Sequence, residues 1–184
     1  PDVDKARDKD RKPAHILAFA ELQKGDTVLD VNAGGGYYTE ILSRAVGECG
    51  KVITHNGPVY KAFRKPEEFK QRYGNNRLAN VIHLDTPSEV ITLDDSSIDK
   101  AFMILAYHDY YYLHQARDKK PADVDSALKS IYRVLKKGAK LVVVDHVGPV
   151  GSTPADWHKL HRIDTAAVQA SLKKHGFKLE KTSQ

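Results

Sequence analysis

Val28-Leu29-Asp30-Val31-Asn32-Ala33-Gly34-Gly35-Gly36-Tyr37-Tyr38-Thr39 passes from an apolar run, through three consecutive glycines, into a helical pattern. Residues 27–31 are too short and too apolar for a surface helix and predict a buried strand. The glycines break it, and residues 38–46 resume with Ile41, Leu42 and Ala45 on one side of a helix. Glycine has no Cβ and reaches positive φ cheaply, so such a turn lets the backbone come close to a ligand. Alone, the turn fits several nucleotide-binding folds, or a plain tight connection between strand and helix. A dinucleotide site of the G-x-G-x-x-G kind needs a last glycine where Thr39 stands, which argues against NAD.

The same alternation continues on both sides. Pro13 suits a first helical turn, and Ile16, Leu17, Phe19 and Ala20 give that helix an apolar face before Gly25-Asp26 ends it. β-branched and apolar runs predict further strands at residues 51–55, 80–84, 98–106 and 140–145, with a sixth beginning at 177–180. Residues 60–73 are polar and helical, broken at Pro66. Residues 107–120 form a polar, aromatic loop. Val124, Leu128, Ile131, Tyr132 and Leu135 trace one stripe of an amphipathic helix over 123–136, and residues 165–175 form the last helix. Strands without polar alternation, separated by helices, imply a Rossmann-like doubly wound α/β fold, a mainly parallel sheet with helices on both faces. One domain over residues 13–184 follows, preceded by a charged N-terminal arm over residues 1–12.

Composition narrows the function classes. The chain has 184 residues, 29 Lys and Arg against 24 Asp and Glu, and a net charge of +5. That excess is spread along the chain with no dense basic stripe, which argues against a nucleic-acid partner. No apolar run approaches the length of a membrane span. Cys49 is the only cysteine, so no intrachain disulfide or cysteine zinc cluster can form. Pro1 in place of Met suggests that something upstream was removed or is not included, a cleaved export signal being one reading among several. Location thus stays open between the cytoplasm and an exported, periplasmic form.

The glycine-rich stretch resembles the first motif of class I S-adenosylmethionine-dependent methyltransferases, an apolar strand and an acidic residue followed by G-x-G-x-G. Leu128-Lys129-Ser130-Ile131-Tyr132-Arg133-Val134-Leu135-Lys136-Lys137-Gly138-Ala139-Lys140-Leu141 is similar to their helix-turn-strand with R-V-L-K-P-G-G, and Asp94-Asp95-Ser96-Ser97-Ile98-Asp99 to their D-x-S-F-D lead into strand four. Arg11-Lys12-Pro13-Ala14 and His161-Arg162-Ile163-Asp164 look like a bacterial subgroup of this family. The resemblance implies S-adenosylmethionine as cofactor and a small molecule as methyl acceptor. It places Asp30, Asn32, Ala33, Gly34 and Gly36 against the methionine part, Asn56 at the ribose, and Asp85 and Thr86 beside the adenine. It also implies a closing hairpin of strands six and seven. The chain stops at Gln184 before a seventh strand, so either the sequence is truncated or the sheet edge is completed some other way, and an uncovered edge would invite self-association.

Two positions depart from the family pattern. Asn32 replaces the first glycine, and Asn56 replaces the carboxylate that receives both ribose hydroxyls. Asparagine tolerates left-handed backbone, but its amide offers a donor where a carboxylate offers only acceptors. The loss is worth on the order of 1 to 3 kcal/mol. These departures motivate an alternative, a domain that keeps the fold but serves in ligand binding or protein interaction.

On the acceptor side, His108 and Asp109 follow strand four and are the catalytic candidates, His108 as a general base with a pKa near neutrality. A metal reading of His108, Asp109, Asp145 and His146 has no H-E-x-x-H-like spacing behind it, so no metal is expected. Tyr110, Tyr111 and Tyr112 either line an aromatic acceptor pocket or cap the sheet. Trp157 lies where the family inserts a lid, or packs a helix onto the sheet.

Overall fold

The computed structural model describes residues 2–183. Five strands, β1 (Thr27–Asp30), β2 (Lys51–His55), β3 (Val81–Leu84), β4 (Ile98–Ile104) and β5 (Leu135–Val144), lie in the order β3-β2-β1-β4-β5. All neighbours are parallel, with Leu29 opposite Ile53 on one side and opposite Ala101 on the other. The order reverses between β1 and β4, and it is there that an open parallel sheet leaves a crevice beyond its carboxyl ends.

Alternate residues of each strand feed two cores. Val28, Val52, Phe102 and Val142 face one layer with α3 (Pro13–Phe19) and α4 (Tyr37–Val46). Leu29, Ile53, Ala101 and Met103 face the other, with α7 (Val124–Val134) and α9 (Thr165–Lys174). This two-sided burial is why the strands read as apolar runs rather than as alternating ones. The polar stretch after β2 divides at Pro66 into α5 (Pro58–Ala62) and α6 (Pro66–Tyr73). After β5 comes α8 (Pro154–Leu160), opened by a Thr153/Asp156 capping box.

Two expectations are corrected. Residues 177–180 form no strand: Phe177 packs its ring on Tyr132 at 5.1 Å, whereas Leu179 is 67% exposed. No described strand pairs with the far side of β5, so the last apolar run has no ladder to join. The helix expected over 123–136 ends at Val134, where the backbone carbonyls of Arg133 and Val134 accept from Ser96 and Ser97 and draw the chain into β5.

The charged segment before Pro13 carries two short helices, α1 (Asp2–Lys5) and α2 (Asp8–Arg11). It is mostly exposed, yet tied to the body: Tyr37 donates to Asp8 at 2.6 Å, Tyr38 to the Arg11 carbonyl at 2.5 Å, and Arg72 to Asp4 at 2.7 Å.

Candidate functional site

The turn after β1 needs left-handed backbone at three positions, Asn32 (φ +53°), Gly34 (φ +60°) and Gly36 (φ +81°). At Gly36 no side chain fits, because a Cβ would lie 1.9 Å from the Tyr73 hydroxyl. At Asn32 the strain of a non-glycine residue is offset by its side chain, whose Oδ1 accepts from Gly57 N–H at 3.2 Å. Asn56 returns the link: its Oδ1 accepts from Gly34 N–H at 2.8 Å, and its Nδ2 donates to the Gly34 carbonyl at 3.4 Å.

A residue not singled out from the sequence, His55, locks a third strand end into this arrangement. Fully buried, it receives the Asn32 N–H on Nδ1 at 3.4 Å and donates from Nε2 to the Thr86 carbonyl at 2.8 Å. Both contacts call for the neutral ring, and burial pushes its pKa down to about 4 against the raising effects of Thr86 and Asp85. A single histidine at the end of a strand gives no sign of this role in the sequence, because its partners are backbone groups from two other loops.

An open cavity of about 560 Å³, including its solvent-filled mouth, lies over the turn and is lined by Asp30, Asn32, Ala33 and Gly34 among others. The arm contributes Arg7 and Arg11 to the same cavity. Asp30 is buried, which lifts its pKa to about 7 despite a 2.6 Å hydrogen bond from Thr39. An acid so placed gains a strong electrostatic reason to bind a cation.

The remaining positions expected at the cofactor are placed differently. Gly36 turns its Cβ side toward Tyr73. Asp85 is gripped by both Arg64 guanidinium nitrogens, at 2.7 and 3.0 Å, and this pair holds its carboxyl below the ordinary range. The Thr86 Oγ1 is buried without a hydrogen-bond partner among the described residues.

Beyond β4, a 3₁₀ turn over His108–Tyr111 carries the two catalytic candidates. Asp145, at the end of β5, fixes this turn by accepting from His108 N–H at 2.9 Å and pairing with His108 Nδ1 at 2.6 Å. His108 Nε2 lies 3.3 Å from Asp109 Oδ1, and His161 Nδ1 lies 3.4 Å from the same oxygen. Burial acts to lower the His108 pKa, but the hydrogen bond and charge of Asp145, with Asp109, outweigh it and raise the value.

Tyr60 joins the two regions. Its ring stands 3.8 Å from where a Gly34 Cβ would be, and its hydroxyl donates to Asp109 Oδ2 at 2.6 Å. It also lines a smaller cavity of about 260 Å³ with Asn32, Gly57 and Ser88. Tyr110 is buried in the core, whereas Tyr112 stays partly exposed with its ring 4.8 Å from that of His161. Trp157 is buried, packing on Tyr111 at 4.7 Å and donating to Ser152 at 2.8 Å. Among the described residues no helix is long and apolar enough to cross a membrane.

Comparison with known proteins agrees with this architecture. A ubiquinone/menaquinone biosynthesis C-methyltransferase (UbiE) of Escherichia coli is 31% identical over 129 residues, 70% of this chain and 46% of the relative. The chain thus spans about half the length of the curated relatives it matches. A SAM-dependent methyltransferase from Aquifex aeolicus superimposes with a TM-score of 0.72 at 25% identity, over 96% of this chain and 85% of the other. A Haemonchus contortus phosphoethanolamine N-methyltransferase 2, solved with S-adenosyl-L-methionine, shares the fold with a TM-score of 0.66 at 17% identity, over 90% of this chain and 36% of its own. S-adenosylmethionine is the cofactor that goes with this family and fold. The family model covers residues 8–153, so the chain belongs to the ubiE/COQ5 methyltransferase family.

Proposed function

We propose that this chain transfers a methyl group from S-adenosylmethionine to a small-molecule acceptor. The supporting observation is that one cavity above the glycine turn is lined by Asp30 together with Arg7 and Arg11. The methionine end of the cofactor is a zwitterion. Asp30 suits its ammonium, and the two arginines suit its carboxylate. Asn32, Ala33, Gly34 and Gly36 shape the turn beneath it, Asn56 braces that turn on the side of the ribose, and Asp85 with Thr86 borders the adenine.

When bound, the cofactor supplies an activated methyl group to a nucleophile in line with its sulfur. The protein's contribution is chiefly orientation and exclusion of water. Tyr60 forms a wall between the cofactor cavity and the His108-Asp109 pair, which with Tyr112 and His161 borders the acceptor. His108 and Asp109 orient that acceptor. The chain acts as one domain over residues 13–184, with the arm over residues 1–12 closing on the cofactor.

The engaged Asn56 favours a second reading, a domain that retains the fold and binds a ligand without turning it over. Calorimetric titration with S-adenosylmethionine and S-adenosylhomocysteine separates the two. Micromolar binding that weakens when Arg11 is replaced by Ala supports the cofactor site, and appearance of S-adenosylhomocysteine when an acceptor is supplied supports methyl transfer. Absence of binding at millimolar cofactor overturns it and leaves the second reading.

A further inference from the structure

We propose that His108, Asp109 and His161 form a binding site for a divalent transition-metal ion on the acceptor side of the sheet. One ligand atom of each residue lies within 4.8 Å of the other two. The residues come from two separate elements, the turn after β4 and the residue that ends α8.

Distances distinguish a coordination edge from an ordinary ion pair. The Nδ1 of His108 meets Asp145 at 2.6 Å, a charge-assisted hydrogen bond. The Nε2 of the same ring stays 3.3 Å from Asp109, and His161 stays 3.4 Å from that oxygen. Metal–ligand bonds of about 2.1 Å, at angles between octahedral and tetrahedral, set neighbouring ligand atoms about 3.0 to 3.4 Å apart. Two of the three edges therefore already have coordination length. The third closes by rotation of His161, whose side chain is 48% exposed.

The surroundings of the ligands support the same assignment. Metal-bound histidines usually donate their second ring nitrogen to a carboxylate, which fixes the tautomer and the ring plane. Asp145 does this for His108. The second oxygen of Asp109 accepts from Tyr60 at 2.6 Å, which leaves Oδ1 directed at the two histidines. Two imidazoles and one carboxylate suit Zn²⁺, Fe²⁺ or Co²⁺ better than Mg²⁺ or Ca²⁺.

Three protein ligands leave positions for outside oxygen atoms, as in sites where a metal holds and polarises a substrate. His146 is exposed, with its ring 6.2 Å from that of His108, within reach of the outer side of the site. A hydroxylated acceptor ligating here loses its proton more readily. That role rests on the methyl-transfer reading, whereas metal binding itself does not.

The test uses untagged full chain, stripped with a chelator and titrated calorimetrically with Zn²⁺ in the absence of cofactor. The expected result is one ion per chain with micromolar or tighter affinity. His161→Ala keeps the wild-type melting temperature and weakens binding at least about tenfold, and Asp145→Asn weakens it by about 10- to 100-fold. No saturable binding by the wild type overturns the proposal, as does wild-type affinity in His161→Ala. Neither outcome touches the cofactor titration, so failure here is distinct from failure of the methyltransferase reading.

Discussion

Asn56 closes on the backbone of Gly34 with both ends of its amide, accepting the N–H at 2.8 Å and donating to the carbonyl at 3.4 Å. The side chain expected to face the ribose is thus spent on the turn beneath it. Asn56→Asp keeps the shorter bond and gives up the longer one. It also frees a second acceptor oxygen, which the Gly34 carbonyl repels toward the crevice. We expect S-adenosylmethionine to bind about tenfold more tightly, the value of one charge-assisted bond, with stability changed by less than about 1 kcal/mol. Calorimetry and thermal melting check the two halves, and unchanged affinity would mean that the ribose lies elsewhere.

Asp30 and His55 sit at the ends of adjacent strands and titrate in opposite senses. Burial raises the Asp30 pKa to about 7, so the folded state holds its proton more tightly than the unfolded chain, and stability falls as pH rises from about 4 to 7. Burial lowers the His55 pKa to about 4, so stability is complete above pH 6.5 and is lost as pH falls toward 4. Both amplitudes are of order 3 to 4 kcal/mol, so the two nearly cancel in the wild type. Asp30→Asn exposes the His55 slope, with stability falling toward pH 4, and His55→Gln exposes the opposite slope. Urea unfolding at several pH values reads this directly, and parallel curves for wild type and both variants would refute it.

The cofactor adds a consequence at Asp30 alone. A cationic ligand beside that carboxyl, with Tyr38, Tyr73 and Arg11 as its other titratable neighbours, lowers its pKa and releases a proton near pH 6.5. Binding heats in buffers of different ionisation enthalpy count that proton. Asp30→Asn should bind without proton release, whereas release undiminished in this variant would place the linked proton on another group.

Much of this fold is legible in the chain because the central strands are buried on both faces, and runs such as Lys51–His55 then mark themselves. Phe177 to Glu180 looks similar by composition, but a strand also needs a partner, which no short window reveals. The glycine turn is legible through Gly34 to Gly36, whose need for positive φ is local. The clasp of Asn32, His55 and Asn56 is not, because each side chain bonds to backbone from another loop. His108 and Asp109 are adjacent in sequence and were readable as a pair. His161 joins them only through the left-handed residue that ends α8 (φ +49°), and Asp145 stands behind His108 because β4 and β5 are neighbours.

Glu40 links the body to the arm. Its carboxylate, in the first turn of α4, takes Arg72 at 2.8 Å, Arg44 at 2.9 Å and Arg77 at 2.5 Å, while Arg72 reaches on to Asp4 at 2.7 Å. Burial acts to raise the Glu40 pKa, but hydrogen bonds from Arg77 and Arg44 carry it down to about 2. Glu40→Gln leaves the buried Arg72 with one carboxylate fewer, and breaking such a pair costs about 3 kcal/mol. Arg44→Ala should cost little, since its side chain is 64% exposed and the pair is screened by water. Because Asp4 anchors the segment that carries Arg7 and Arg11, the loss at Glu40 should also loosen the arm. Proteolysis within residues 1–12 then accelerates and cofactor affinity drops several-fold. If Glu40→Gln lowers stability but leaves both arm cleavage and affinity unchanged, the arm is held independently of this cluster.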